Sequence, residues 1–453
     1  MHRKITGQLT LTLLLIFTLS PLSVADTQLS NSLKKSIDDD YNSRLKGLFE
    51  DFHANPELSG VEFKTAKKLA SHLKSHGYKV TEGVGGTGIV ALLENGPGPL
   101  VMMRADMDGL PIKEKTTLPY ASVVQQVDPF SQKLSPVMHA CGHDVHVTSL
   151  IGTAKQMAER NDLWSGTLML IGQPAEERVM GAQAMMDDNL WQRFGTPDYA
   201  LAFHVASGMP VGTLNVQEGA PFAGADNVDI IVYGVGAHGA SPHAGKDPIV
   251  LASQIVLALQ TLVSRELAPR QPGVITVGAF NAGNKHNIIP DRAHLKVTVR
   301  NTNLETRTLL LEGIKRIAKN TARAAGLPEN KLPDVIYGPE STPPTVNNDQ
   351  LVRRLRAVWK EKLGESLVTS FRSEGMGAED FPAFTTDPAI PSVYFTIGGT
   401  DINAIKASQD GTGPAIPSHH SPLFKIEPKP SVTTGVYATV TALLDLMPAK
   451  AGN

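Results

Sequence analysis

Cysteine is nearly absent from this chain: Cys141 is the single one in 453 residues. One thiol cannot close an intramolecular disulfide, so the fold must be held by its core. An excess of either charge is missing too. The 42 Lys and Arg against 44 Asp and Glu leave a net charge of -2. With no basic block, nothing invites nucleic acid or an anionic membrane surface. There is no Gly-x-Ser-x-Gly elbow and no Walker-type phosphate loop, which removes two common enzyme classes. Internal repeats and low-complexity segments are also lacking.

What remains is an ordinary globular composition, 41% hydrophobic and 19% charged, in a chain long enough for two domains. Arg3 and Lys4 precede an apolar run from Leu9 to Leu19, and Ser23-Val24-Ala25 offers small residues for cleavage. This pattern predicts a signal peptide over 1–25, a mature protein from about Asp26, a periplasmic or secreted location and no membrane contact after cleavage. An uncleaved anchor is the alternative.

Helical periodicity predicts helices over 36–54, 62–76, 147–160 and 351–362. Apolar runs predict strands over 89–93, 100–103, 167–171, 199–203 and 392–397. This alternation implies a mostly parallel α/β sheet. Between about residues 225 and 338 the order becomes β-α-β-β-α-β, the signature of a ferredoxin-like unit. The expected organisation is therefore a catalytic domain split into 26–224 and 339–453, with an inserted domain at 225–338. The Pro-rich stretch 340–344 reads as the return linker.

The polar clusters lie just past strands, where open α/β sheets bind ligands. Asp106 and Asp108 follow one, Glu176 and Glu177 another, and His204 a third. The densest cluster, His139-Ala-Cys141-Gly-His143-Asp144-Val-His146, suits a borderline metal such as zinc. A lone Cys is usually an inert small hydrophobe, but three flanking imidazoles argue against that reading here. His139 and His146 read as supporting groups. One of the two adjacent glutamates can bind metal while its neighbour acts as a general base. The residues alone do not say which, nor do they separate His419 from His420.

Seven motifs occur in one order: Met103–Pro111, His139–Asp144, Pro174–Glu177, Phe203–His204, Gly236–His243, Gly377–Phe381 and His420–Pro422. Together they resemble the metal-dependent amidohydrolases that include hippurate hydrolase, indole-acetyl-amino-acid hydrolases, aminobenzoyl-glutamate hydrolase and aminoacylase-like carboxypeptidases. The likeness covers about residues 40 to 446. It implies a two-metal peptidase-like catalytic domain with an inserted ferredoxin-like lid and dimerisation domain. Carried over by motif, Cys141, His143, Glu177, His204 and His420 resemble the metal ligands, and Glu176 the general base. Asp106 resembles the carboxylate that orients a ligand from behind. His238, Asn287 and Arg300 are expected to bind substrate, the arginine gripping a carboxylate.

The implied activity is hydrolysis of N-acyl amino acids or related amides, using two divalent metals per subunit. Zinc or manganese are first choices, with cobalt and nickel behind them. A homodimer through the inserted domain is implied as well. Met180, Met209 and Phe222 are candidates for an apolar acyl pocket. Two rival readings are a non-catalytic metal- or peptide-binding protein on this scaffold, and a cysteine hydrolase using Cys141. A thiolate held by metal is not a free nucleophile, which weakens the second.

Overall fold

The computed structural model describes residues 21–372 and 375–449. Residues 1–20 of the expected leader lie outside them. A long helical stretch opens the described chain as Pro21–Asp40, a π-turn at Tyr41–Leu45 and Lys46–Ala54, starting well before the expected residue 36.

The larger sheet has eight strands, in the order Lys79–Val84, Gly88–Asn95, Gly166–Gln173, Leu100–Asp106, Tyr199–Pro210, Ser392–Thr400, Leu214–Asn215 and Val368–Thr369. The expected mostly parallel sheet is in fact mixed. Its middle is parallel, while Gly88–Asn95 runs antiparallel to both neighbours. Side chains alternate between two cores, as a strand period of two requires. Val101, Met103, Ala105, Leu168, Leu170, Leu201 and Phe203 face the core under the helices His143–Ala158 and Pro428–Leu446. Met102, Met169, Ile171, Ala200 and Ala202 face the opposite core. Burial on both faces explains why these strands read as continuous apolar runs.

The smaller sheet has four antiparallel strands in the order Gly273–Ala282, Arg292–Asn301, Gly224–Tyr233, Asp334–Thr342. Helices Pro248–Thr261 and Leu304–Ala324 cover one face around Val228, Ile230, Ile255, Leu295, Leu310 and Ile314. This is the ferredoxin-like β-α-β-β-α-β order. Its last strand runs through Thr342, past the expected boundary at 338, so Glu340 to Thr342 are strand rather than linker. The side chains of Asp247 and Asn303 accept backbone N–H bonds and start the two helices, as N-caps do.

Because the central strands are parallel, their carboxyl ends share one edge. Asp106 pairs with Gln173 there, and Arg104 pairs with Ala202, two residues before His204.

Candidate metal centre

Three pieces of local backbone set the site. The first is the start of the His143–Ala158 helix, which begins four residues earlier than its periodicity predicted, so that His143 is its first residue. Gly142 precedes it at φ 91°, and a Cβ there would meet the Val205 side chain at 2.3 Å. Only glycine allows this turn. The second is the short turn Glu176–Arg178, bracketed by Ala175 at φ 48° and Val179 at φ 55°. The third is His420, also left-handed at φ 64°. Left-handed non-glycine residues are costly and gather at functional sites.

His204 lies within its strand rather than after it. Its Nδ1 donates to the Val205 carbonyl at 2.7 Å, which leaves Nε2 as a lone pair 3.4 Å from Cys141 Sγ. His143 is fixed in the same way: Nδ1 donates to the Asp108 carbonyl at 2.9 Å. Its Nε2 stands 3.8 Å from Glu176 Oε2 and 3.9 Å from Glu177 Oε1. His420 Nε2 is 3.3 Å from Glu177 Oε2. His419 turns its Nε2 to the Val205 carbonyl instead, at 2.9 Å.

Donor atoms therefore gather in overlapping groups: Cys141, His143 and His204; Cys141, Glu177 and His420; His143, Glu176 and Glu177. Asp106, His143 and His146 also lie close, but both His146 nitrogens are engaged. Nδ1 donates to Asp106 Oδ1 at 2.6 Å, and Nε2 accepts from the Val205 N–H at 3.0 Å.

The chemistry of the donor set fits a divalent cation. His143 Nε2 and Glu177 Oε1 are buried and without a hydrogen-bond partner, an arrangement that costs free energy unless something else is bound there. Burial, Glu177 and Glu176 push the Cys141 thiol well above its usual range. Burial with Asp108 and Asp106 pushes Glu177 up to about 8. Burial with Glu379 and Glu177 pushes Glu176 well up. Burial pulls the other way at His143, but Asp106, Asp108 and Glu177 outweigh it and raise it to about 10. A cation reverses this logic by favouring thiolate, carboxylate and neutral imidazole together.

Asp106 does not touch a candidate ligand within hydrogen-bond distance. Its Oδ2 accepts from Arg104 at 2.5 Å and its Oδ1 from His146. The group that orients His143 is the Asp108 carbonyl. Arg104 is buried and also binds Gln173 at 2.6 Å and Glu379 at 2.7 Å, while Tyr394 donates to Glu379 at 2.6 Å. Gln173 in turn donates to Asp380 at 2.6 Å. Arg104, Glu379 and Asp380 lie in motifs visible in the sequence, Met103–Pro111 and Gly377–Phe381, but nothing local signalled that they meet or that Gln173 and Tyr394 join them.

The three residues expected to bind substrate sit in the smaller unit. His238 pairs with Ile288 across a two-strand ribbon, and the Asn287 carbonyl accepts from Gly239 at 2.9 Å, so these two are neighbours. Both are exposed, and Arg300 is half-buried on its strand. Among the described residues, no hydrogen bond or ion pair joins any of them to the cluster. Of the pocket candidates, Phe222 lies tilted against His204 (6.1 Å between ring centres) and edge-on to Tyr394 (4.9 Å).

A family model described as peptidase family M20/M25/M40 matches residues 102–410. Hippurate hydrolase of Campylobacter jejuni is 42% identical over 75% of this chain and 85% of its own. The IAA-amino acid hydrolase ILR1-like 2 of Arabidopsis thaliana is 35% identical over 83% of this chain and 79% of its own. Among solved structures, a dinuclear metal binding peptidase of Bacillus subtilis superposes with a TM-score of 0.72 at 27% identity, covering 91% of this chain and 99% of that one.

Proposed function

The chain belongs to peptidase family M20/M25/M40, and from that premise we propose that this metal-dependent amidohydrolase cleaves the amide bond of N-acyl amino acids, releasing a carboxylic acid and a free amino acid. The observation that carries the reading is the gathering of Cys141, His143, Glu177, His204 and His420 beside a second carboxylate, Glu176, whose Oε2 lies 3.8 Å from His143 Nε2. The five would hold the metal. Cys141 belongs to two of the donor groups and His143 to three, which supports two ions rather than one. Bound divalent metal would supply Lewis acidity and a water of lowered pKa.

The protein's own residues do the rest. Glu176 holds the proton taken from the attacking water and delivers it to the departing amine nitrogen. Asp108 fixes the direction of His143 through its carbonyl. Phe222, beside His204, offers an apolar wall for an acyl group. Arg300, His238 and Asn287 are proposed to recognise the substrate, the guanidinium pairing with its carboxylate. Manganese or zinc suits the mixed S, N and O donors.

A homodimer through the smaller unit is part of the proposal. Its helix Pro248–Thr261 carries no charged residue, yet Val250 is 55% and Leu257 72% exposed. The neighbouring edge strand Gly273–Ala282 is also uncharged, and unblunted edges invite pairing. Export is proposed on the leader pattern alone.

Glu176→Gln tests the reading. In manganese-loaded protein it should cut kcat by roughly 10²–10⁴ on a responsive acyl-amino acid, with metal content unchanged. Parental turnover by this variant, or tight binding without hydrolysis by the parent across a broad acyl-amino-acid panel, sinks it.

A further inference from the structure

The Glu176–Glu177 turn and the helix Gly181–Asp187 that follows it are held by carboxylates from three distant parts of the chain. Asp108 accepts from the N–H groups of Glu176 and Glu177, each at 3.1 Å. Asp380 accepts from Ala182 at 3.0 Å. Glu62 accepts from Ala175 at 2.9 Å. Holding is needed, because Ala175 and Val179 both sit in the left-handed region, at about 1–3 kcal/mol each.

Glu62 is the unexpected member. It immediately precedes the helix Phe63–Ser75, whose free N–H groups and positive end favour a nearby carboxylate. It makes no such bond. Glu57 does so instead, accepting from Lys64 and Thr65 at 2.8 Å each. Glu62 turns away, fully buried. Its Oε1 takes the N–H groups of Ala175 and of Gly60, the latter at 2.7 Å, and its Oε2 takes the Thr87 hydroxyl. Between Glu57 and Glu62, the Ser59 hydroxyl also donates to Asp108 at 2.6 Å, so one short segment steadies two of the three carboxylate holds. Burial beside Asp108 raises the Glu62 carboxyl to about 7, a cost that its own helix does not require.

We propose that Glu62 is a positioning residue for this centre: by fixing the Ala175 peptide it makes Glu177 face the metal ligands while Glu176 faces the reacting water. The proposal rests on the metal-dependent hydrolysis argued above. No hydrogen bond among the described residues links Glu62 to a candidate ligand, so its influence runs through the backbone it holds.

Glu62→Ala and Glu62→Gln in the mature protein decide the matter. The amide oxygen of Gln can still accept both N–H bonds, whereas Ala offers none. With saturating manganese, the Ala variant should lose roughly tenfold or more in kcat with KM changed less than about threefold, and Gln should stay within about threefold of the parent. Competition with a chromophoric chelator should show manganese affinity weakened roughly tenfold in the Ala variant and little changed in the Gln variant. That second readout needs no substrate. If the parent turns over no amide, the proposed function fails while the chelator experiment still judges Glu62. Parental kcat and affinity in the Ala variant, or a Gln variant as impaired as Ala, overturn the proposal. Should the Ala variant not fold, Thr87→Val removes the hydroxyl that turns the carboxylate and should lower kcat about two- to fivefold; no change there overturns it equally.

Discussion

The two sheets of this protein solve opposite problems. The four-stranded unit buries an apolar core and keeps ion pairs such as Arg316 with Glu266 and Arg323 with Glu329 on the surface, with Asp226, held by Arg307, as a buried exception. Its helices start on ordinary Asx caps. The eight-stranded unit buries Arg104, Asp106, Asp108, Glu176, Glu379, Asp380, His143 and His146 at one edge. Charges taken out of water are expensive unless paired and hydrogen-bonded. The first unit is built for stability from local signals. The second accepts a costly polar edge because donors for metal must converge in a dry place.

If that contrast is right, the largest stability loss should come from the polar edge. Arg104→Met leaves Asp106, Glu379 and Asp380 without their guanidinium and should cost about 3–5 kcal/mol at pH 8. Arg104 and the neighbouring histidines hold Asp106 well below the usual carboxylate range, against its burial. Its contribution is therefore present above the unfolded carboxyl pKa and lost as pH falls through the folded one. In the variant Asp106 loses that support and takes up a proton more readily, so the gap from the parent should narrow from pH 8 to pH 5 in urea unfolding. A gap that is constant with pH breaks the argument.

His53 gives a middle-sized test in the same unit. It lies buried between Asp144 at 2.7 Å and Glu114 at 3.0 Å. Burial opposes its charge, but the two carboxylates win and raise it to about 9. A raised folded pKa means stability that is complete below the unfolded value near 6.5 and lost as pH rises through 9. The linkage is worth ~3 kcal/mol. Denaturant unfolding of the parent should weaken over that window, and His53→Gln should flatten the trend.

The smallest effect on stability is expected from the other unit. Leu257→Lys on the exposed helix face should change unfolding by less than about 0.5 kcal/mol yet convert the proposed dimer to a monomer in sedimentation velocity. A parent that is already monomeric, or a variant that stays dimeric, removes the proposed interface.

Much of the smaller unit was legible in advance because its signals are local: the β-α-β-β-α-β order between about residues 225 and 338 follows from short apolar runs and helical spacing. The errors there were of extent, as at Glu340 to Thr342, where Pro343 and Pro344 suggested a linker too early. In the larger unit the cluster around Cys141 was visible as a motif. The start of its helix at His143 was not, since Gly142 supplies a turn that hydrophobic periodicity does not report. Glu62 left no trace, because a glutamate at the start of a helix reads as ordinary first-turn charge.

By itself the sequence determined the residue types of a metal site, the order of its motifs and the alternation of strands and helices, all of which depend on near neighbours. Only the tertiary structure decided that His143 is steered by the Asp108 carbonyl, that Asp106 is given to Arg104 and His146, and that Glu62 reaches Ala175. Apart from Arg104, which is two residues from Asp106, those partners lie far apart in sequence. Parallel strands bring their ends to one edge, and the hydrogen bonds made there depend on register and backbone direction, which no short window of residues encodes.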